Sequence, residues 1–429
     1  MQRQTSGVLT INTLARFCGS CVALRGGLWR LTRGLILDLR PVVPLNSVRV
    51  SATSTKGAPV VDTKKPCPSQ TCYPEPGGLA KADCTWHETF YGVIRDCPAR
   101  LRLKDRVPSQ RRDAMQSISS PILRHIGYVI LPEHRASGGF DHAAVHATTG
   151  HVYIAHTAND AVDVIDPVSQ KHLYSVPQLR GVAGVLVSDE AQLIISSNRA
   201  ENTIGIFPPG PDPQVSKVAV GVRPNGLAYD HVRRQILVAN VGDPTIAGSH
   251  TLTVVAIDEG TTRADIPVAG RTRWAIFDPG AQVFYVNVAD PAEIVVVDAR
   301  QPHSIAHTFA IPSVGPHGLD LDPDSHRLFC ACDSGELITL DARSGKILGQ
   351  NSLSGSPDVV FFDRVHKRLY VAAGDPGTID VFDTKSMGKL GTVATEKGAH
   401  TFALAPAGDQ VYAFLPQSHR AAIYQAGPT

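Results

Sequence analysis

Two histidines and two aspartates recur at equivalent places in residues 126–429, in a pattern suited to metal binding or acid–base chemistry. Each occupies the second position of a segment made of an apolar run, a short polar turn and a second apolar run. The second positions of the seven segments are Asp141, Ala183, Asn225, Arg273, His317, Asp358 and His400. Imidazole and carboxylate groups together could bind zinc, manganese or iron, or act as acid and base toward an ester or lactone.

Arg273 adds a different chemistry, because a guanidinium can clamp a carboxylate or phosphate through paired N–H donors. The predicted ligand-binding residues are Asp141, His142, Asn225, Arg273, Trp274, His317, Asp358 and His400. The predicted ligands of a divalent metal are His317, Asp358, His400 and Asp141. The alternative is a solvated opening without a function, since polar residues belong at any wet entrance and residues 126–429 contain 15 histidines.

The elements that position these residues follow from an internal repeat. The second positions are 42, 42, 48, 44, 41 and 42 residues apart. Twelve residues after each lies a large apolar or aromatic residue: Tyr153, Ile195, Leu237, Tyr285, Phe329, Tyr370 and Tyr412. A third strand and a more polar fourth strand follow in most copies. Four short strands in about 40 to 45 residues is the signature of a β-propeller blade, so seven copies predict seven blades.

Closure of the ring is also predicted. The last copy is one strand short, and the strand IGYVILP at residues 126–132 can fill its place. The long interval of 48 residues is explained by an inserted loop, DPTIAGSH, at residues 243–250. The first strand of each blade lines the central channel, so the second positions should converge at its entrance. His317, Asp358, His400 and Asp141 then form one arc, with Arg273 expected on the opposite wall.

The repeat resembles the YVTN-repeat propellers of the surface-layer type, through phrases such as VYIAHTANDAVDVIDP and LYVAAGDPGTIDVFDTKSMGK. The resemblance implies a binding or scaffold protein that presents its entrance funnel to a small molecule or a protein partner, in an extracytoplasmic or cell-surface location. The alternative function is a metal-dependent hydrolase or lyase of the lactonase type. No G-x-S-x-G, P-loop or dinucleotide motif is present.

Charge separates the chain into a basic arm and an acidic body. Residues 1–125 hold 19 Lys and Arg against 8 Asp and Glu, a net +11, which leaves 22 against 31, a net −9, for the remainder. An acidic body argues against nucleic-acid binding by the propeller. No apolar run is long enough to span a bilayer. The predicted divisions are an Arg-rich targeting or disordered segment (1–50), a Pro- and Cys-containing linker (51–125) and the propeller (126–429).

Several residues are predicted to be structural or without function. The Arg-rich segment resembles an organellar targeting peptide or a disordered extension. Four cysteines at positions 67, 72, 84 and 97 could bind a metal or form disulfides, and both remain open.

Cys330 and Cys332 are predicted to be small core residues. Solvent-exposed turn or outer positions are predicted for His146, His156, His231, His303, His307, His326 and His366. Asx-type turns at the ends of third strands are predicted for Asp166, Asp258, Asp298, Asp341 and Asp383, with positive φ at Gly345 or Gly388.

Overall fold

The computed structural model describes residues 121–427, and before them only the backbone of three short strands. The chain divides into two compact units, Met1–Arg106 and Val107–Thr429. In the first unit, the strands Trp29–Leu31 (β1), Leu35–Pro41 (β2) and Val48–Ala52 (β3) form one antiparallel sheet. The predicted targeting segment and the four linker cysteines otherwise lie outside the described residues.

The second unit consists of seven four-stranded antiparallel sheets. The closing strand β4 spans Leu123–Ile130. Blades one and two comprise β5 to β12: Ala143–Val145, Val152–His156, Ala161–Asp166, Lys171–Val176, Val182–Ser188, Leu193–Asn198, Thr203–Phe207 and Ser216–Ala219. Blades three and four comprise β13 to β20: Pro224–Asp230, Gln235–Asn240, Thr251–Ala256, Thr261–Pro267, Thr272–Asp278, Val283–Val288, Glu293–Asp298 and His307–Ala310. Blades five to seven comprise β21 to β31: Pro316–Asp322, Arg327–Cys332, Glu336–Asp341, Ile347–Ser352, Ser356–Asp363, Arg368–Asp375, Thr378–Asp383, Lys389–Ala394, Phe402–Leu404, Gln410–Leu415 and Arg420–Ala426.

The last blade is completed by a strand from the beginning of the unit. Strand β4 pairs antiparallel with β31, so that Ile130 lies opposite Arg420 and Leu123 opposite Ala426. Joining the two ends in one sheet removes exposed sheet edges and ties the ring shut. The predicted all-β, seven-bladed propeller with an N-terminal closing strand is therefore confirmed. The insertion in blade three is also confirmed, since it lies between β14 and β15.

The hydrophobic core lies between neighbouring blades. The large residues predicted twelve positions after each second position pack there, and Tyr153, Phe329 and Tyr370 are all buried. The second and third strands of blade three, β14 and β15, are buried along their whole length, whereas the outer strands β24 and β28 consist of exposed and half-buried residues. A fourth strand covers one side of its blade and faces water on the other, which accounts for its polar sequence.

The turns after the third strands contain the predicted Asx bonds at four of five positions. Backbone N–H groups two or three residues ahead donate to the carboxylates of Asp166, Asp298, Asp341 and Asp383. Asp258 differs, because Arg234 donates to it instead. Gly345 has a positive φ, as predicted, with a value of +70°. In the last of these turns the residue with a positive φ is Met387, at +56°, and not Gly388.

Two of the histidines predicted to be solvated are in fact buried. His156 is fully buried, and its Nδ1 lies 2.7 Å from Oδ2 of Asp163. His146 is also buried, with its Nδ1 2.9 Å from the hydroxyl of Thr149. The prediction was wrong because an imidazole can be buried where a short-range partner satisfies it, and the partners lie only seven and three residues away.

Cys330 and Cys332 are buried free thiols, as predicted, with their sulfur atoms 4.0 Å apart. The only helix that the described residues contain is one 3₁₀ turn, Thr157–Asn159. No helix in residues 121–427 is long and apolar enough to cross a membrane.

Candidate functional site

A β-bulge positions most of the predicted second-position side chains. The inner strands β13, β17, β21 and β25 each lose register with their partner immediately after the first paired residues, at Asn225, Arg273, His317 and Asp358. A bulge places two residues opposite one and redirects the side chain. Repeated around the ring, it turns these side chains toward the channel axis.

Glycine allows the inner strands to approach one another beside these bulges. A methyl group added at Gly226 would overlap the carbonyl oxygen of Arg273 in the next blade. The same overlap would occur between Gly318 and the carbonyl oxygen of Asp358. The two glycines are therefore required by close backbone packing.

His317 is the centre of a charged network. Its Nδ1 lies 2.7 Å from Oδ1 of Asp333, and its Nε2 lies 3.0 Å from Oδ1 of Asp358. Arg273 donates from Nη2 to Oδ2 of Asp333 at 3.1 Å, and its Nη1 lies 3.1 Å from Nε2 of His317. Arg273 thus lies beside His317, and the prediction that it sits on the opposite wall was wrong, because blades four and five are neighbours.

The carboxylates keep His317 protonated. Burial alone would lower the pKa of His317, but Asp358 and Asp333 overcome that effect and raise it to about 9. Burial alone would raise the pKa of Asp358. The neighbouring His317, His400 and His142 overcome that effect and hold the pKa well below its usual range. The pKa of Asp333 is also lowered, by His317 and Arg273 against the effect of burial. At neutral pH the network therefore contains an imidazolium between two carboxylates.

The remaining predicted residues surround this network. Nε2 of His400 lies 3.7 Å from Oδ2 of Asp358, which brings both imidazoles to one carboxylate. Asp141 lies 3.4 Å from Nε2 of His142 and 3.2 Å from Nη1 of Arg199. Burial lowers the pKa of His142, although Asp141 and Asp358 act in the raising direction.

Three of the predicted metal ligands, His317, Asp358 and His400, come close to one another, whereas Asp141 pairs with His142 and Arg199. Within residues 121–427, no group of three or more His, Cys, Asp or Glu side chains has an arrangement that could hold a metal ion. Both ring nitrogens of His317 already face carboxylates. A nitrogen that binds a metal must be free of its proton, so the imidazolium form of His317 opposes coordination.

Arginines dominate the other side of the opening. Arg199, Arg223 and Arg271 join Arg273 in an arginine arc contributed by blades two, three and four. Burial lowers the pKa of Arg271, and the charges of Arg273, Arg199 and Arg223 lower it further. Among the described residues, neither Arg223 nor Arg271 has a carboxylate within 4 Å of its guanidinium. The opening, here called the mouth, thus has one cationic side and one side of histidines and aspartates.

Aromatic rings form the floor of the mouth. The rings of His142 and Trp274 lie with centroids 4.1 Å apart and are tilted by 47° to one another, and Phe361 meets Trp274 edge-on at 6.1 Å. Asn225 is buried, and its carbonyl oxygen accepts a hydrogen bond from the Ser197 hydroxyl. His142 therefore lies between this aromatic group and the charged network, since Asp358 and His317 both act on its pKa.

No family model matches the chain. Two curated relatives, both described as uncharacterized protein YncE, come from Salmonella typhimurium and Salmonella typhi and are each 23% identical over 203 residues. The match covers 46% of this chain and 55% of each relative, so the chain spans about half the length of the curated relatives it matches. Hydrazine synthase of Kuenenia stuttgartiensis superposes with a TM-score of 0.60 at 14% identity, over 70% of this chain and 99% of that structure. At this identity the likeness establishes the fold alone.

Sequence reasoning missed Asp333, Arg199, Arg223 and Arg271. A positional signal for them exists. Arg199 and Asp333 both lie sixteen residues after a second position, and both donate a backbone N–H to the residue two before that position, Gly181 and Gly315. Arg223 and Arg271 themselves stand two residues before a second position. Residues at three equivalent positions of the repeat, instead of one, therefore contribute to the mouth.

Proposed function

We propose that the propeller is a binding module whose mouth takes a small anionic molecule bearing a carboxylate or a phosphate. The observation that carries the proposal is the arginine arc: four guanidiniums lie near one another, and two of them have no carboxylate partner within the described residues. Guanidinium groups recognise these planar or tetrahedral anions through paired N–H donors. An anion that bridges the arc would relieve the mutual repulsion that lowers the pKa of Arg271.

Two carboxylates, in blades one and five, support the same proposal by fixing part of the arc. Asp333 holds the guanidinium of Arg273, and Asp141 holds that of Arg199. Fixed donors lose less conformational entropy on binding than mobile ones. Arg223 and Arg271 are then the groups that remain for the ligand. We also propose that the repeat is of the YVTN type, which phrases such as VYIAHTANDAVDVIDP support.

Isothermal titration calorimetry of the full chain with inorganic phosphate and with citrate, at low ionic strength, tests the proposal. We expect saturable binding of at least one anion and a loss of about tenfold or more in affinity for Arg271→Gln and Arg223→Gln, equal to about 1.4 kcal/mol or more. Arg300→Gln is the matched control, because Arg300 is exposed and bonds only to Asp298 of its own turn. Equal anion affinities in wild type, Arg271→Gln and Arg300→Gln would refute the arginine site.

A metal-dependent hydrolase or lyase acting through His317, Asp358, His400 and Asp141 is the second candidate. It is favoured by the approach of both imidazoles to Asp358. Metal binding would have to displace a proton from His317, so it should release protons and lower the apparent pKa of that residue. Metal analysis of the purified chain, together with hydrolysis of a simple lactone by wild type and His400→Ala, tests this function. Absence of both metal and hydrolysis would eliminate it.

A further inference from the structure

A cavity, here called the lower cavity, lies in the channel beyond the His142 and Trp274 rings, as seen from the mouth. It has a volume of about 530 Å³ and runs from the His142 and Trp274 rings to the turns that follow the inner strands, where Glu190 and His231 are exposed. Cavities of a few hundred cubic ångströms with mainly apolar walls are the usual sites of small ligands. The tilted rings of His142 and Trp274 line this lower cavity at the end where His142 is close to His317 and Asp358 of the mouth.

At one position of the inner strands, six of the seven blades have an apolar residue and one has an aspartate. Seven inner-strand residues pair with the large residues that fill the spaces between the blades: Ala144, Leu186, Ala228, Ile276, Asp320, Phe361 and Ala403. Six of the seven are apolar, and three of these are alanines, which leave space in the channel. Asp320 is the exception, and it lines the lower cavity. A carboxyl group at a position that is otherwise apolar is costly, so its presence points to a ligand.

The carboxyl of Asp320 is held by the backbone alone. The N–H of Leu321 donates to Oδ1 at 2.8 Å, and the N–H of Phe362 donates to Oδ2 at 2.6 Å. No side chain of residues 121–427 donates a hydrogen bond to it or forms an ion pair with it. The two backbone bonds fix the plane of the carboxyl and leave a lone pair on each oxygen. Asp320 is thus oriented and has no countercharge.

The charges near Asp320 are of one sign. Burial raises the pKa of Asp320 to about 7, and the nearby Asp322 acts in the same direction, although the two backbone donors oppose it. Asp189 and Glu190 also line the cavity, while His231 and Tyr229 are the other titratable groups on its lower wall and His142 lies at its upper end. The lower cavity therefore combines apolar side chains with negative charge.

We infer that the lower cavity binds an apolar amine, with its hydrocarbon part against the channel wall and its ammonium group on the carboxylate of Asp320. An ammonium supplies the countercharge that the protein lacks, and its N–H groups match the two free lone pairs. Val185, Leu227 and Phe277 supply apolar surface for the hydrocarbon part. This site goes beyond the anion site of the mouth and is independent of it.

The test compares two probes of one shape, 2-phenylethylamine and 2-phenylethanol, by isothermal titration calorimetry on the full chain. At pH 8 we expect the amine to bind at least about tenfold more tightly than the alcohol. Because only the ionised carboxyl pairs with the ammonium, affinity for the amine should fall about tenfold between pH 8 and pH 6. Equal binding of the two probes, or binding of neither, would overturn the inference.

Two variants and one control complete the test. Asp320→Asn keeps the size of the side chain and should abolish both the preference for the amine and the pH dependence. Ala144→Phe fills the cavity without touching Asp320 and should weaken both probes, so it tests the site even if Asp320→Asn fails to fold. Asp324→Asn, in an exposed turn of the same blade, should change nothing. Phosphate binding at the mouth should survive in Asp320→Asn, which separates failure of this inference from failure of the anion site.

Discussion

Replacement of His317 by glutamine should remove a pH-dependent part of the stability of the propeller. In the folded chain the pKa of His317 is raised from an ordinary 6.5 to about 9, after Asp358 and Asp333 overcome the effect of burial. A histidine with a raised pKa contributes stability that is fully present below pH 6.5 and is lost as the pH rises through 9. The protonated side chain is replaced by a neutral amide in His317→Gln, so the variant lacks this dependence.

The size of the effect follows from the shift. Each pKa unit corresponds to about 1.4 kcal/mol, so a shift from 6.5 to about 9 corresponds to roughly 3 kcal/mol. The depressed pKa of Asp358 describes the same ion pair seen from its other partner, so its stabilisation is not added to that of His317. We therefore expect the free-energy difference between wild type and His317→Gln to shrink by roughly 2 to 3 kcal/mol between pH 6.5 and pH 9.5.

Urea unfolding followed by circular dichroism, at half-unit intervals between pH 6.5 and 9.5, measures this difference. Titration of Asp320 is common to both proteins and largely cancels in the comparison. His303→Gln, at an exposed position, provides the control and should follow wild type throughout. A difference between wild type and His317→Gln that stays constant across this range would mean that His317 is not held as an imidazolium, and the argument for the network would fail.

Three further predictions concern other parts of the ring. Asp163→Asn should destabilise the chain by about 2 kcal/mol or more at pH 7, because His156, His172 and Ser175 hold the pKa of Asp163 at about 2 against the effect of burial. The difference in stability between wild type and variant should disappear as the pH falls from about 4 towards 2. Acid unfolding of both proteins would measure it. Gly318→Ala should cost roughly 1 to 3 kcal/mol in urea unfolding, since its methyl group meets the carbonyl of Asp358, whereas Gly349→Ala, which meets nothing within 4 Å, should have little effect. Deletion of residues 121–131 should leave β31 as an open edge and lower the melting temperature, with a rise in aggregation visible by light scattering; unchanged melting would contradict the role of β4 as the closing strand.

The fold could be predicted from the sequence because the repeat imposes a register. The constant spacing of Tyr153, Tyr285 and Tyr370 from their second positions supported the register of the repeat, and closure by residues near 126 followed from counting strands. The convergence of His317, Asp358 and His400 also followed, since the same position of every inner strand must meet at the channel.

The partners of these residues could not be predicted in the same way. Asp333 reaches His317 from a turn after the second strand, and the contact depends on a bulge that one sequence does not reveal. Burial of His156 depends on its hydrogen bond to the carboxylate of Asp163, which periodicity does not encode. Asp320 was visible in principle as the one charged residue of its ring, but only the cavity beside it distinguishes it from the structural aspartates of the turns.

The closing strand affects how the protein folds while it is synthesised on the ribosome. Strand β4 is synthesised before every blade, yet its partner β31 ends at Ala426, almost the last described residue. Bacterial or eukaryotic synthesis at about 5 to 20 residues per second leaves β4 without its partner for roughly 15 to 60 s. Throughout that interval six blades can form while the ring stays open, with an unpaired strand at each end. The nascent chain is therefore exposed to chaperones, and to pairing with other chains, until β31 emerges.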